Sequence, residues 1–230
     1  MTYDTAGSDL ALPEGTALIV IDVQKGLDEP YWGVRNNPEA EQNIARLLAA
    51  WRRRSWPIYH LHHQSKNPQS PLRPNYPGNA IKDIVQPQPG EPVLQKQENS
   101  AFIGTDLEER LHAGNQTTVV LTGLVTDHCV STTARMAANL GFHTIVVADA
   151  TATFDRVSPL TGRHFSAEEI HEAELTSLSG EFARIVATEA LLGTPGNDPR
   201  RDANTAGVAA HQAPVTGGKH TPWPLNTLTS

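Results

Sequence analysis

Ala17-Leu-Ile-Val-Ile21 is an unbroken apolar run that stops on an aspartate, Asp22. A strand with one wet face would carry a polar residue at every second position. A run without that alternation fits a strand buried on both faces. Similar segments recur at Thr117 to Leu121 and Ile145 to Ala148, with shorter candidates at Trp56 to Leu61 and Ala183 to Ala187. Helical patterns separate them. Ile44, Leu47, Leu48 and Trp51 share one helical face. Asn37-Pro38 is read as the cap and first turn of that helix, and Arg52 to Arg54 suit its carboxyl end. Thr105-Asp-Leu-Glu108 and Ser166-Ala-Glu-Glu169 read as capping boxes, opening helices to about His112 and Leu178. Thr126 or Asp127 is expected to cap a further helix that runs to Leu140.

Strands that alternate with helices need crossover connections, and crossovers make neighbouring strands parallel. The expected class is therefore α/β, a three-layer αβα, Rossmann-like arrangement with helices on both faces of a mainly parallel sheet. Ligands bind such sheets beyond the carboxyl ends of the strands. One domain is expected over residues 10–192, with no internal repeat. Lys66 to Pro92 carries Pro68, Pro71, Pro74, Pro77, Pro87, Pro89 and Pro92 and cannot be regular structure throughout. A loop of that length is expected to be a functional lid or disordered. Residues 193–230 lack apolar periodicity and are expected to be a flexible tail, or a docking arm through Trp223 and Leu225.

Composition narrows the partners. The formal charge of −7 gives no basic face for nucleic acid and no attraction to an anionic membrane. No apolar run approaches the ~20 residues that cross a bilayer, and Met1 to Asp9 has no signal-peptide pattern. The expected location is the cytoplasm and the expected partner a small-molecule substrate. A lone cysteine, Cys129, excludes an intrachain disulfide and a cysteine-rich zinc site.

Three polar residues fall where an open sheet keeps its ligands. Asp22 follows the first strand, and an acid there is costly unless it is paired or useful. By itself it also reads as a turn cap. Lys96 ends the short segment Pro92-Val-Leu-Gln and by itself reads as a surface lysine. Cys129 follows a strand and is expected in the first turn of a helix. Free N–H groups and the helix dipole there favour a thiolate and could hold an oxyanion, although a lone cysteine also reads as a core residue. A nearby lysine would depress the thiol further. A nearby carboxylate could take its proton and later return it to a leaving group.

Asp22-Val-Gln, Lys96 with the following Asn99-Ser-Ala-Phe102, and Gly123-Leu-Val-Thr-Asp-His-Cys129-Val resemble the isochorismatase-like cysteine hydrolases. That superfamily includes nicotinamidase, N-carbamoylsarcosine amidase, ureidoacrylate and biuret hydrolases, and streptothricin hydrolase. The resemblance spans about Leu12 to Leu192. It implies a six-stranded sheet and an Asp22-Lys96-Cys129 triad that cleaves an amide, ureido or lactam C–N bond through a Cys thioester. It also implies a cis peptide between Leu124 and Val125, which would aim the Val125 and Cys129 N–H groups at the substrate oxygen. Trp32, His62, His63 and Phe102 are expected to contact substrate, and a homo-oligomer is expected. Nicotinamidases carry an Asp-x-His metal pattern just past the second strand. Here that stretch reads Tyr59-His-Leu-His-His-Gln-Ser65, so neither a metal nor another cofactor is expected. His60 and His62 would share one strand face and His63 the other. An ether-cleaving isochorismatase, a metal-dependent nicotinamidase and a non-enzymatic thiol-based binding or redox-sensing protein are the rival readings.

The domain boundary is testable. Truncation at Gly193 is expected to change stability by no more than ~1 kcal/mol, read by thermal melting, because ordering a polar tail costs about 1–2 kcal/mol per residue with little burial to offset it. An unfolded truncation product would move the boundary.

Overall fold

The computed structural model describes residues 10–192; the expectations for residues 193–230, Trp223 and Leu225 included, fall outside them. The strands are β1 (Ala17–Ile21), β2 (Ile58–His63), β3 (Val93–Lys96), β4 (Thr118–Leu124), β5 (His143–Ala152), β6 (Arg156–Val157), β7 (His164–Phe165) and β8 (Arg184–Val186). The α-helices are α1 (Ala40–Arg54), α2 (Leu107–Ala113), α3 (Ser131–Asn139), α4 (Ala167–Leu178) and α5 (Thr188–Leu192). Six strands form one sheet in the order β3-β2-β1-β4-β5-β8, and every neighbouring pair is parallel. β6 and β7 make a separate antiparallel hairpin.

Both faces of the sheet are covered, which is why β1 carries no polar position. Leu18 and Val20 face Ile44, Leu47, Leu48 and Trp51 of α1 and Leu191 of α5. Ile19 and Ile21 face Leu107 and Leu111 of α2, Ala134 and Ala137 of α3, and Leu175 and Leu178 of α4. Each buried Leu or Ile contributes roughly 1.5–3 kcal/mol relative to exposure. No helix among the described residues is long and apolar enough to cross a membrane.

The helix starts correct three expectations. Asn37 does not cap α1. It sits in the left-handed region (φ 43°), and its amide donates to the carbonyls of Ala148 (3.0 Å) and Thr151 (2.8 Å), so it serves the irregular end of β5. Thr105 makes no capping box, because its hydroxyl donates to the Ala101 carbonyl at 2.5 Å. Neither Thr126 nor Asp127 caps α3, since their side chains are committed to His171 and to Thr153. Ser166 and Glu169 form both halves of the box predicted for α4.

The proline-rich stretch is a pinned strap. Gln24 Nε2 donates to the Asn79 carbonyl (2.8 Å), and Asn79 Nδ2 donates to the carbonyls of Leu72 (2.7 Å) and His63 (3.0 Å). Lys82, 8% exposed, reaches Asp28 and Glu41, each at 2.6 Å. Burial raises Glu41, but hydrogen bonds from Arg35 and Lys82 hold its carboxyl below the usual range. Prolines keep this segment out of the sheet while polar side chains fasten it, so the expected lid or disorder gives way to a fixed wall.

One glycine sets the sheet's geometry. Gly123 has φ 115°, and a Cβ there would lie 2.0 Å from the Ile21 carbonyl oxygen. The β4–β5 register shifts between Leu121 and Gly123, at the same place. Gly123→Ala is expected to lower stability by ~3 kcal/mol or more, a fall in Tm of about 6–12 °C, because backbone must move to admit the methyl group. A melt within 2 °C of wild type (roughly 1 kcal/mol on that scale) would show that the close approach is not required.

Candidate active site

The chain runs outward in both directions from β1 and β4, so the strand order reverses between them. That gap is the place where an open α/β sheet accepts ligands. Asp22 follows β1 and Cys129 follows β4, which puts both at the reversal point. Asp22 has φ 52° and is 1% exposed. Its N–H still pairs with Leu61 (3.0 Å), while its own carbonyl accepts from Gln24 N–H (2.9 Å), so the strand ends in a tight bend that turns the carboxylate inward. A non-glycine residue in that region costs of order 1–3 kcal/mol and is held there by its surroundings.

The surroundings include Gln24, a residue that sequence reasoning quoted but gave no role. Gln24 is fully buried; its Oε1 accepts from His63 N–H (2.9 Å) and its Nε2 donates to the His63 carbonyl (3.0 Å). It thereby ties the bend after β1 to the end of β2. The available signal was an amide three residues past an unbroken apolar run.

Lys96 ends β3, an edge strand, in register with His63 on β2. Its side chain crosses the end of β2 and is 1% exposed. The ammonium lies 2.6 Å from Asp22 Oδ2, 3.4 Å from Cys129 Sγ, 3.3 Å from His63 Nδ1 and 3.1 Å from the Glu98 carbonyl. Asp22 Oδ1 has no hydrogen-bond partner among the described residues. A buried carboxylate oxygen left open beside a thiol is suited to receive a proton.

Cys129 is not in the first turn of an α-helix. It lies in a π-helical turn, Thr126–Val130, and α3 begins only at Ser131. His128 and Val130 N–H both bond the Val125 carbonyl, at 3.1 and 3.2 Å, and the Leu124–Val125 peptide is cis. The turn is anchored from behind by the contact of Thr126 Oγ1 with His171 Nδ1 (2.9 Å) and by Asp127 against Thr153 and Arg156.

The thiol is not depressed. Burial pushes it up, the Asp22 carboxylate pushes it further, and Lys96 offsets only part of this. Burial works to lower the Lys96 ammonium, but Asp22 and then the cysteine sulfur outweigh it and hold the amine above its usual range. The resting site is therefore a neutral thiol beside a carboxylate–ammonium pair. His63 is lowered by burial and stays neutral near pH 7.

The site opens into a cavity of about 90 Å3 whose walls include Leu27, Trp32, Leu72, Leu124 and Val125. His63, Asn99 and His128 add polar groups. Trp32 does two jobs. It lines the cavity, and it holds its own loop through an Nε1 bond to the Gly26 carbonyl (2.8 Å) and stacking on Phe154. Two expected substrate contacts lie elsewhere. His62 is turned away onto the Asn79 carbonyl (2.7 Å), and Phe102 is packed in the core against Phe142, with centroids 5.9 Å apart.

Donor atoms of Asp22, His63 and Cys129 lie within 4.8 Å of one another, a spacing that could hold a metal ion. The Lys96 ammonium contacts all three residues, so this donor set already faces one positive charge, and a second cation there would be repelled. His60 is committed to Glu91 at 3.0 Å, and His62 to the backbone, so neither completes a tetrahedral set.

The electrostatics make a signed prediction. Asp22→Asn is expected to lower the pKa of the Cys129 thiol, because it removes a charge that raises it; Lys96→Met is expected to raise it. The pH dependence of thiolate absorbance near 240 nm reads both. Equal or reversed shifts would overturn the electrostatic assignment.

Comparison with known proteins gives one family. The family model described as the isochorismatase domain matches residues 16–190. The isochorismatase family protein YrdC of Bacillus subtilis (strain 168) is 46% identical over 181 residues, 79% of this chain and 96% of that protein. Nicotinamidase 3 of Arabidopsis thaliana is 31% identical over 188 residues, 76% of this chain and 86% of the relative. A crystal structure of a hydrolase of the isochorismatase family from Chromobacterium violaceum ATCC 12472 superposes with a TM-score of 0.78 at 43% identity, covering 83% of this chain and 99% of the other.

Proposed function

The chain belongs to the isochorismatase family, and on that premise we propose that it is a cysteine amidohydrolase, cleaving an amide, ureido or lactam C–N bond of a small molecule. One observation carries the reading: a buried ammonium, Lys96, lies 2.6 Å from the Asp22 carboxylate and 3.4 Å from the Cys129 sulfur. A structural lysine needs one counter-ion. Here the same cation touches both a base and a nucleophile, and both of those line a cavity.

The steps follow from that placement. Asp22 takes the thiol proton as Sγ attacks the carbonyl carbon. Lys96 stabilises the sulfur's negative charge while the S–C bond forms. The Val125 and Cys129 N–H groups are assigned to the tetrahedral oxyanion, and a single such donor is typically worth about 10²–10³ in rate. Protonated Asp22 then hands its proton to the leaving nitrogen, and the C–N bond breaks to leave a thioester. Water, deprotonated by Asp22, attacks the thioester; the acid departs, and the sulfur recovers the proton. A raised thiol suits this sequence, because the nucleophile is generated only as its proton moves. That Nicotinamidase 3 bears an amidase's name supports the C–N reading over ether cleavage.

The test is amine release across a panel of small amides, ureides and lactams. Cys129→Ala is expected to lose at least ~10³-fold in kcat with its melt unchanged, and Asp22→Asn and Lys96→Met to fall as far singly as together, since the three act as one unit. Substrate-dependent acylation of Cys129, seen by intact mass after acid quench, should accompany turnover. A Cys129→Ala protein that keeps near wild-type turnover would overturn the covalent route.

A further inference from the structure

The charges around the cavity define what it can hold. Asp22, which lines it, is paired with Lys96 at 2.6 Å, and the thiol is kept neutral, so the charges at that end cancel. His63 adds no charge but does add a directed donor. Its Nδ1 lies 3.3 Å from the Lys96 ammonium. An ammonium has no lone pair, so Nδ1 must be the acceptor, and the ring proton sits on Nε2. His128 stands at the rim, its Nε2 3.4 Å from Asp127 Oδ2. Arg156 also reaches that carboxylate, at 3.3 Å, and so is committed. Lys66 is paired with Glu98 at the surface. Asn99 adds an uncharged amide, its Oδ1 3.8 Å from the Cys129 sulfur, and the remaining walls are aliphatic or indole. Lys96, Arg156 and Lys66 thus each face a carboxylate, and no lysine or arginine is among the lining residues.

We propose that the cavity takes a compact, uncharged amide or ureide, with a polar edge on the Nε2–H of His63, and excludes substrates that carry a carboxylate. This rests on the amidohydrolase reading and narrows it. A carboxylate placed here would leave water and meet no lysine or arginine in the lining. It would also sit beside the oxyanion that forms on attack, and two anions in a small apolar cavity repel strongly. Size points the same way: the volume of about 90 Å3 suits a compact group next to the sulfur, while the open side leaves room for the rest of a substrate.

Two matched pairs test it on the full chain. The first is alkylation of Cys129 by iodoacetamide and by iodoacetate, each rate divided by that for glutathione under the same conditions. The neutral reagent is expected to be favoured at least tenfold over the glutathione ratio, and His63→Ala to reduce that preference by slowing iodoacetamide alone. The second is amine release from 3-methylbutanamide and from malonamate, which differ by isopropyl against carboxylate. Faster alkylation by iodoacetate, or turnover of malonamate above that of its neutral partner, would overturn the inference while leaving the amidohydrolase reading intact. No amine release from any amide, with the neutral alkylation preference preserved, would instead overturn the amidohydrolase reading and leave the charge selection standing. Should the resting thiol be inert to both reagents, the amide pair decides alone: amine release from 3-methylbutanamide and none from malonamate supports the inference, and the reverse overturns it.

Discussion

The contact between Lys96 and Asp22 is the constraint on which the rest of the site depends. It joins the last residue of an edge strand to the first residue past a central one, with β2 between them. Both groups are out of water, and an ion pair in that position is weak evidence for stability, because the desolvation of two charges offsets much of their attraction. Removing one partner is a different matter, since it strands the other charge in the interior. The pair is therefore best understood through what it imposes. It fixes an ammonium against the Cys129 sulfur, it holds a carboxylate within reach of the thiol proton, and it leaves the floor of the cavity without net charge.

Holding that pair requires the backbone around it to be rigid, and the rigidity comes from polar side chains used as struts. Gln24 spans from β1 to the end of β2 and on to the strap, while Asn79 spans from the strap back to β2. Lys82 and Arg35 converge on Glu41 at the start of α1 and close the same corner from outside. Each strut satisfies backbone groups that an irregular chain would otherwise bury unpaired. The glycines do the complementary work. Gly26 and Gly78 meet Pro71 so closely that a Cβ on either would lie within 3.0 Å of the Pro71 carbonyl, which lets the strap lie flat against the bend after β1.

The fold was legible because its signals are local. The unbroken run of β1, five residues long and β-branched at Ile19, Val20 and Ile21, suits a strand covered on both faces, and the Ser166–Glu169 box marks a helix start by chemistry that four residues contain. Thr105 is claimed locally, by the Ala101 carbonyl, but the other helix starts that failed share one reason. Asn37, Thr126 and Asp127 have side chains that could cap, but each is claimed by a partner far along the chain, Ala148, His171 and Thr153, and no local pattern reveals a distant claim. The site divides in the same way. Asp22, Lys96 and Cys129 stand at strand ends and were legible from position and from the family resemblance. Their mutual distances, the role of Gln24, the strap's Leu72 in the cavity wall and the burial of Phe102 are tertiary facts. The outward turn of His62 depends on Asn79, a residue whose place the prolines conceal.

The state of the thiol was the expectation most changed by the structure, and the change bears on function. A helix start and a neighbouring lysine both argue for a thiolate when burial is ignored. Cys129 is 8% exposed and lies beside a carboxylate, and those two influences outweigh the lysine. Oxidants react with thiolates, and a redox sensor needs a low-pKa, accessible cysteine. Cys129 is neither. A neutral thiol that meets its base inside the same small cavity is poorly placed to report on peroxide and well placed to act when a carbonyl carbon arrives. The site thus confines reactivity by making the proton's destination, and not the sulfur's resting charge, the controlled quantity. That logic explains why the carboxylate and the ammonium are found together: the carboxylate alone would hold the proton on sulfur, the ammonium alone would release it to solvent, and only the pair moves it on and returns it within one catalytic cycle.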